Sequence, residues 1–143
     1  MREPELNALR LALETEYAAI FAYGVIEAFA GPNEDMATED LAAHRTRRDA
    51  TIALLTRAGA DGLEAQAGYS LPDPVTDVES AGAAAIAAES DTATAWRGVA
   101  ERADSPDTIT TAVTALTESA IRMAKWRRAL KLTPETYAFP GQT

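Results

Sequence analysis

The sequence contains no cysteine and a single histidine among its 143 residues. These shortages exclude a disulfide framework, thiolate zinc sites, iron–sulfur clusters and any metal centre with several histidines from one subunit. Acidic residues outnumber basic ones by 22 to 13, and the net charge of −9 argues against nucleic acid and anionic membranes as partners. Only 6% of the residues are aromatic and only 8 are glycine. The alanine-rich remainder is typical of closely packed helices.

Targeting and membrane-spanning segments are also missing from the sequence. Residues 1–5 show no apolar run with a small-residue cleavage site, and no uncharged stretch is long enough to span a bilayer. We therefore expect a cytoplasmic protein that does not contact a membrane. The length suits one compact core, so residues 1–143 are predicted to form a single domain. No Ser-His-Asp pattern or glycine-rich phosphate loop supports a hydrolase or a nucleotide-binding protein.

Apolar residues recur with a helical period in four blocks of the sequence. The blocks cover residues 4–30, 38–59, 76–103 and 105–130. Terminal signals support these limits, because Thr38 and Ser105 are suitable N-cap residues and the segment from Thr76 to Glu79 fits a capping box. Gly31 and Gly59 follow the first two blocks, as expected of residues that end helices. The sequence therefore predicts an all-α protein of four helices.

The lengths of the connections predict how these helices are arranged. Short connections join helix 1 to helix 2 and helix 3 to helix 4, which indicates two antiparallel hairpins. Residues 60–75, between helices 2 and 3, lack a helical period and contain several glycines and prolines. Such a segment extends to at most roughly 50–58 Å, whereas a helix of about 21 residues is about 32 Å long. A long crossover between helices 2 and 3 indicates the ferritin-like version of the four-helix bundle.

Polar residues interrupt the apolar seams of the predicted helices near mid-height. Glu16 stands at a seam position of helix 1 and Glu89 at a seam position of helix 3. The seam of helix 2 places Arg48 inward with His44 one turn away, and Glu118 lies on the flank of the helix 4 seam. Because the four helices have similar lengths and pack side by side, these residues fall in one layer across the bundle.

Buried carboxylates in that layer need a neutralising partner, because an unpaired charge in a helix core is strongly unfavourable. Guanidinium groups, protons and a metal ion are the candidates. Arg122 lies one turn after Glu118 and Arg45 one turn before Asp49, and both arginines reduce the negative excess if they turn inward. We therefore predict a buried polar layer that consists of Glu16, Arg48, Asp49, Glu89, Glu118 and Arg122.

Several segments of the chain resemble a small bacterial ferritin-like family of unknown function. The resemblance is carried by residues 13–24, 43–50, 69–75, 88–89, 126–128 and 139–141. It covers nearly the whole chain, and it implies a ferritin-like fold without bringing an established activity.

The resemblance also implies where a metal centre would lie. Ferritin-like di-iron sites take a Glu from each of two helices and a Glu-x-x-His motif from each of the other two. Glu16 and Glu89 match the single-Glu positions. In the second helix His44 stands at the Glu place and Arg47 at the His place, and the fourth helix keeps Glu118 without the His. The implied di-metal site is half present, and a nearby guanidinium would repel a second metal ion.

Two classes of function stay open at this point. The first is a non-enzymatic structural or interaction bundle with a degenerate di-metal site, in which the ionic layer fixes the helix register and no cofactor is bound. The alternative is a metal-binding oxidase or metal-handling protein, in which Glu16, His44, Glu89 and Glu118 hold one Fe, Mn or Mg ion. The alanine-rich stretch from Ala81 to Ala88 permits close helix approach, either inside the bundle or across a dimer interface. We expect a homodimer, because so many small residues leave helix 3 with few large anchoring side chains.

Overall fold

Four long helices make up the computed structural model, which describes residues 1–136 and 139–141. They are α1 (Glu3–Phe29), α2 (Glu34–Arg57), α3 (Val78–Arg102) and α4 (Pro106–Ala129), with a short 3₁₀ turn at Gly31–Asn33 between α1 and α2. The described residues contain no strand, which confirms the predicted all-α class. Among the described helices, none combines the length and the apolar character that a bilayer crossing requires.

The helices are arranged as two antiparallel hairpins. Helix α1 packs against α2 and α3, and α4 packs against α3 and less extensively against α2. At the beginning of α1, Glu5 accepts a hydrogen bond from the backbone N–H of Asp104, just beyond the end of α3, over 3.3 Å. Helices α1 and α3 are therefore antiparallel as well, so that all neighbouring helices in the bundle run in opposite directions.

The segment between α2 and α3 runs along the outer side of α1. Arg10 Nε donates to the carbonyl of Asp61 over 3.1 Å, and Tyr17 Oη donates to the carbonyl of Leu63 over 2.8 Å. Farther along, the rings of Phe21 and Tyr69 lie 6.0 Å apart. These contacts confirm the predicted long crossover between helices 2 and 3.

Two of the predicted helix beginnings are wrong. Helix α2 begins at Glu34 rather than near Thr38, and Glu34 and Asp35 supply the acidic residues of its first turn. The Thr38 hydroxyl instead donates to Glu27 of α1 over 3.3 Å. In α3 the capping box pairs Asp77 with Ser80 rather than Thr76 with Glu79. Helix α2 is therefore one turn longer than expected, which brings one more of its turns into the core.

Two hydrophobic clusters fill the bundle, one on each side of its middle. The first cluster includes Leu9, Leu13, Leu55 and Val99, all fully buried. The second combines aromatic side chains with many alanines, among them Ala19, Ala22, Tyr23, Ala81, Ala85 and Trp126. Ala81 and Ala85 are fully buried there, so these two alanines of α3 pack within the chain. The expected homodimer stays a prediction.

Candidate functional site

His44 lies at the centre of a polar layer between the two hydrophobic clusters. Its side chain is fully buried. Nδ1 lies 2.5 Å from Oε2 of Glu16 in α1, and Nε2 lies 2.8 Å from Oε2 of Glu89 in α3. Because both ring nitrogens face carboxylate oxygens, which only accept hydrogen bonds when ionised, the geometry suits an imidazolium with two N–H donors.

Glu89 collects hydrogen bonds from three of the four helices. Its Oε2 accepts from the hydroxyl of Tyr23 over 2.5 Å as well as from His44, and its Oε1 accepts from Nε of Arg122 over 3.0 Å. Arg122 is itself only 9% exposed, and its Nη2 donates to the hydroxyl of Ser119 over 3.2 Å. The fully buried Glu89 carboxylate is thus held by two cationic side chains and one phenol.

Two tryptophans complete the network at its edges. Trp96 Nε1 donates to Oε1 of Glu16 over 2.8 Å, and Trp126 Nε1 donates to Oδ2 of Asp40 over the same distance. The Tyr23 hydroxyl also lies 3.3 Å from that Asp40 oxygen. Each acid of the layer therefore has at least one hydrogen-bond donor, as buried polar groups require.

The titration behaviour of the layer follows from these contacts. Burial lowers the pKa of His44, but the charge of Glu89 and the hydrogen bonds to Glu16 and Glu89 outweigh it and raise the pKa to about 9. Burial acts to raise the pKa of Glu89, but His44 and Arg122 hold it below its usual value. Burial also raises the pKa of Asp40. Near neutral pH the imidazolium of His44 and the guanidinium of Arg122 therefore both stabilise the ionised carboxylate of Glu89.

Four of the predicted residues meet in this layer, namely Glu16, His44, Glu89 and Arg122. Arg48 and Asp49 do not, since they pair with each other over 2.8 Å with side-chain exposures of 29% and 67%. The prediction that Arg48 points inward is wrong, because the buried face of α2 passes between Arg47 and Arg48 and leaves both on its flanks.

Glu118 also lies outside the layer, and its side chain is 46% exposed. The inward face of α4 passes through Ser119 and Arg122, one residue away from the position predicted for the helix 4 acid. Glu118 pairs instead with Arg47 over 2.8 Å, at the edge between α2 and α4. The guanidinium carbon of Arg47 also lies over the Trp96 ring, 6.0 Å from its centroid. Arg45, which was proposed with Arg122 to turn inward, is exposed.

Several members of the network are absent from the predicted layer. Tyr23 lies two turns after Glu16 and Trp96 two turns after Glu89, so each lies on the same helix face as a buried acid. Asp40 precedes His44 by one turn on the same face of α2. That spacing is a usable signal, but a helix that begins at Thr38 places Asp40 in the first turn, where an acid needs no buried partner.

The donor set does not fit the di-metal centre that a ferritin-like fold implies. Among residues 1–136 and 139–141, no group of three or more His, Cys, Asp or Glu side chains is arranged to hold a metal ion. The imidazole of His44 lies between the carboxylates of Glu16 and Glu89 and engages both, so they do not converge on a common free position. The Arg122 guanidinium would further oppose a cation beside Glu89.

Solved structures that are similar to this chain include the following two. One is a conserved hypothetical protein from Mycobacterium tuberculosis, with 40% identity over 96% of this chain and 97% of that one and a TM-score of 0.87. The other is a ferritin-like, diiron-carboxylate protein from Bacillus anthracis str. Ames, with 15% identity over 91% of this chain and 99% of that one and a TM-score of 0.77. At that identity the second likeness concerns the fold alone, and it confirms the ferritin-like arrangement.

No curated protein matches the sequence. The family described as "Domain of unknown function (DUF4439)" matches residues 8–143. The chain therefore belongs to this ferritin-like family of unknown function.

Proposed function

We propose that this protein is a non-catalytic, structural or interaction bundle in which two side-chain cations stand where a ferritin-like di-iron protein holds its metal ions. The cations are the imidazolium of His44 and the guanidinium of Arg122. The observation that carries the proposal is the position of His44, whose two ring nitrogens lie 2.5 and 2.8 Å from the carboxylates of Glu16 and Glu89. A metal ion that bridges these carboxylates would compete with the ring for the same oxygens.

Charge balance supports this reading of the layer. Glu16 and Glu89 carry two negative charges in a fully buried environment, and His44 and Arg122 supply two positive ones. A buried charge without a partner is strongly destabilising, so each of these groups requires the others. These four charges balance one another without a bound cation, and burial raises the pKa of Asp40, the remaining acid of the network.

The spacing of the residues in α4 gives a second argument. Ser119 and Arg122 are three residues apart on the buried face, which is the spacing of the Glu and His in a Glu-x-x-His motif. Serine has no charge to offer a metal, and arginine remains a cation at any pH in which the protein is folded. Helix α4 therefore contributes a permanent positive charge rather than two ligands.

The proposed role of the layer is to fix the register of the bundle. Glu16, His44, Glu89 and Arg122 come from four different helices, and each contact depends on the height and rotation of two of them. A hydrophobic layer tolerates small shifts, whereas hydrogen-bonded charges do not. Such a scaffold holds its outer surfaces in one fixed arrangement, which suits a protein that acts through contacts with partners.

The protonation state of His44 provides the decisive experiment. The chain has only one histidine, so a sample labelled with ¹⁵N-histidine gives signals from one imidazole alone. We expect both ring nitrogens to show the shifts of an imidazolium at pH values well above 7, because the pKa is raised to about 9. We also expect no change in these signals or in the melting temperature when Mn²⁺ or Fe²⁺ is added, since a ligand of the native state would stabilise it.

A matched variant separates the layer from adventitious surface binding. Glu118→Gln removes an exposed carboxylate that lies outside the layer, and any weak metal response that it abolishes belongs to the surface. A stoichiometric metal that shifts or broadens the His44 signals, and that Glu16→Gln removes while Glu118→Gln does not, would overturn the proposal. That result would favour a metal-handling protein with a single ion.

A further inference from the structure

The outer face of α4 is uncharged along most of the first half of the helix. Residues 108–117 contain no charged side chain, although charged residues make up 24% of the chain. Val113 and Ile121 are 49% and 51% exposed on this helix. Thr117 is exposed between them, and Thr110 is exposed one turn before Val113. An uncharged strip of β-branched side chains on a highly acidic protein has the character of a contact surface.

We propose that this strip binds a second copy of the chain, with the two α4 helices antiparallel about a two-fold axis near Thr117. The strip consists of Thr110, Val113, Thr117, Ile121 and Ala124, whose spacing of three and four residues is that of a helix-to-helix seam. Val113 and Ile121 each lie four residues from Thr117. An antiparallel pairing therefore sets Val113 against the partner's Ile121 twice, as an isologous interface requires.

The charges at the two ends of α4 favour a second copy of the chain whose α4 runs in the opposite direction. Asp107 lies in the first turn of the helix, and Lys125 and Arg128 lie near its end. Eighteen residues separate Asp107 from Lys125, which is five turns at 3.6 residues per turn, so both lie on the same side of the helix. Antiparallel pairing brings Asp107 close to the partner's Lys125, whereas parallel pairing would place these two residues at opposite ends of the interface.

The remaining charge beside the strip does not oppose this pairing. Glu118 lies next to Thr117, but it is already paired with Arg47 of α2 over 2.8 Å. The dimer goes beyond the proposed function and does not depend on it, since none of its residues belongs to the His44 layer. The two proposals can therefore fail separately.

The experiment measures self-association of the full chain by sedimentation equilibrium, with thermal melting as the check on folding. We expect the wild type to form a dimer and Val113→Asp to weaken it by about 100-fold, because it places a charge against the partner's Ile121 at two symmetric positions of the interface. Leu11→Asp is the matched control, since Leu11 is 61% exposed on α1 and lies outside the strip. This control is expected to dimerise as the wild type does.

Charge exchange tests the antiparallel direction. Asp107→Lys and Lys125→Asp should each weaken the homodimer several-fold, as two exposed pairs become repulsive. An equimolar mixture of the two variants should form a heterodimer of nearly wild-type affinity, because both opposite-charge pairs are restored between the chains. A monomeric wild type would overturn the proposal. A dimer that Leu11→Asp breaks while Val113→Asp leaves it intact would do so as well, and so would a mixture of the two charge variants that associates no better than each variant alone.

Discussion

Two groups of cations in the same bundle occupy very different environments. His44 and Arg122 lie in the core, with exposures of 0% and 9%, and bind carboxylates that are fully buried. Arg47 and Arg48, only three and four residues after His44, have side-chain exposures of 16% and 29% and bind acids that are mostly exposed. The helical periodicity of the sequence does not distinguish these four residues. The rotation of each helix about its axis determines which cations are buried in the core and which contact solvent.

The difference matters because the energetic value of an ion pair depends on its surroundings. Removal of one member of a buried pair leaves the other charge without compensation in a medium of low polarity. In an exposed pair, water takes the place of the missing partner, and little free energy is lost. Substitutions of the same chemistry in the two groups should therefore differ in their effect on the free energy of unfolding.

The largest effect is expected for Glu89→Gln, compared with Glu118→Gln. Both substitutions remove one carboxylate charge and keep the shape of the side chain. Glu89→Gln leaves Arg122 and His44 without their shared counter-ion, and we expect the free energy of unfolding to fall by about 3–5 kcal/mol. Glu118→Gln should cost less than about 1 kcal/mol. Urea unfolding of both variants measures the difference, and equal losses would contradict the distinction between core and surface pairs.

The pH dependence of stability should show a somewhat smaller effect. The pKa of His44 is raised from 6.5 to about 9 in the folded protein. The stabilisation from this group is therefore fully present below about pH 6.5 and is lost as the pH rises through about 9. A shift of this size corresponds to a loss on the order of 3 kcal/mol in the free energy of unfolding. Urea titrations at a series of pH values across this window measure it.

A variant without the imidazole provides the control for that measurement. His44→Gln has no group that titrates in the window at this site, so its free energy of unfolding should be lower than that of the wild type but nearly constant with pH. A wild-type curve that is as flat as that of the variant would show that His44 is neutral in the folded protein.

The smallest effect is expected for Arg48→Leu. The inward position predicted from the sequence would make this substitution cost several kcal/mol, because buried carboxylates would lose their partner. In the structure Arg48 pairs with its exposed neighbour Asp49, so the cost should be below about 1 kcal/mol. A loss as large as that of Glu89→Gln would mean that Arg48 reaches the core in solution.

The helices and their order could be predicted from the sequence because the signals for them are local. The apolar period, the glycines after the first two helices and the long segment before α3 each depend on a few neighbouring residues. Helix beginnings are harder to predict, since α2 begins one turn before Thr38 without a side-chain cap. Because a helix that begins at Thr38 would place Asp40 in its first turn, Asp40 is not predicted as a core residue.

The sequence alone is enough to predict that acids enter the core, because Glu16 and Glu89 replace apolar residues at seam positions of their helices. The cations that pair with these acids depend on the tertiary structure. Successive residues of a helix point about 100° apart, and an arginine side chain is long enough to reach outward from a flank, so periodicity does not distinguish Arg48 from His44 or Glu118 from Ser119. The rotation of each helix against its neighbours, set by packing of the whole bundle, makes that choice.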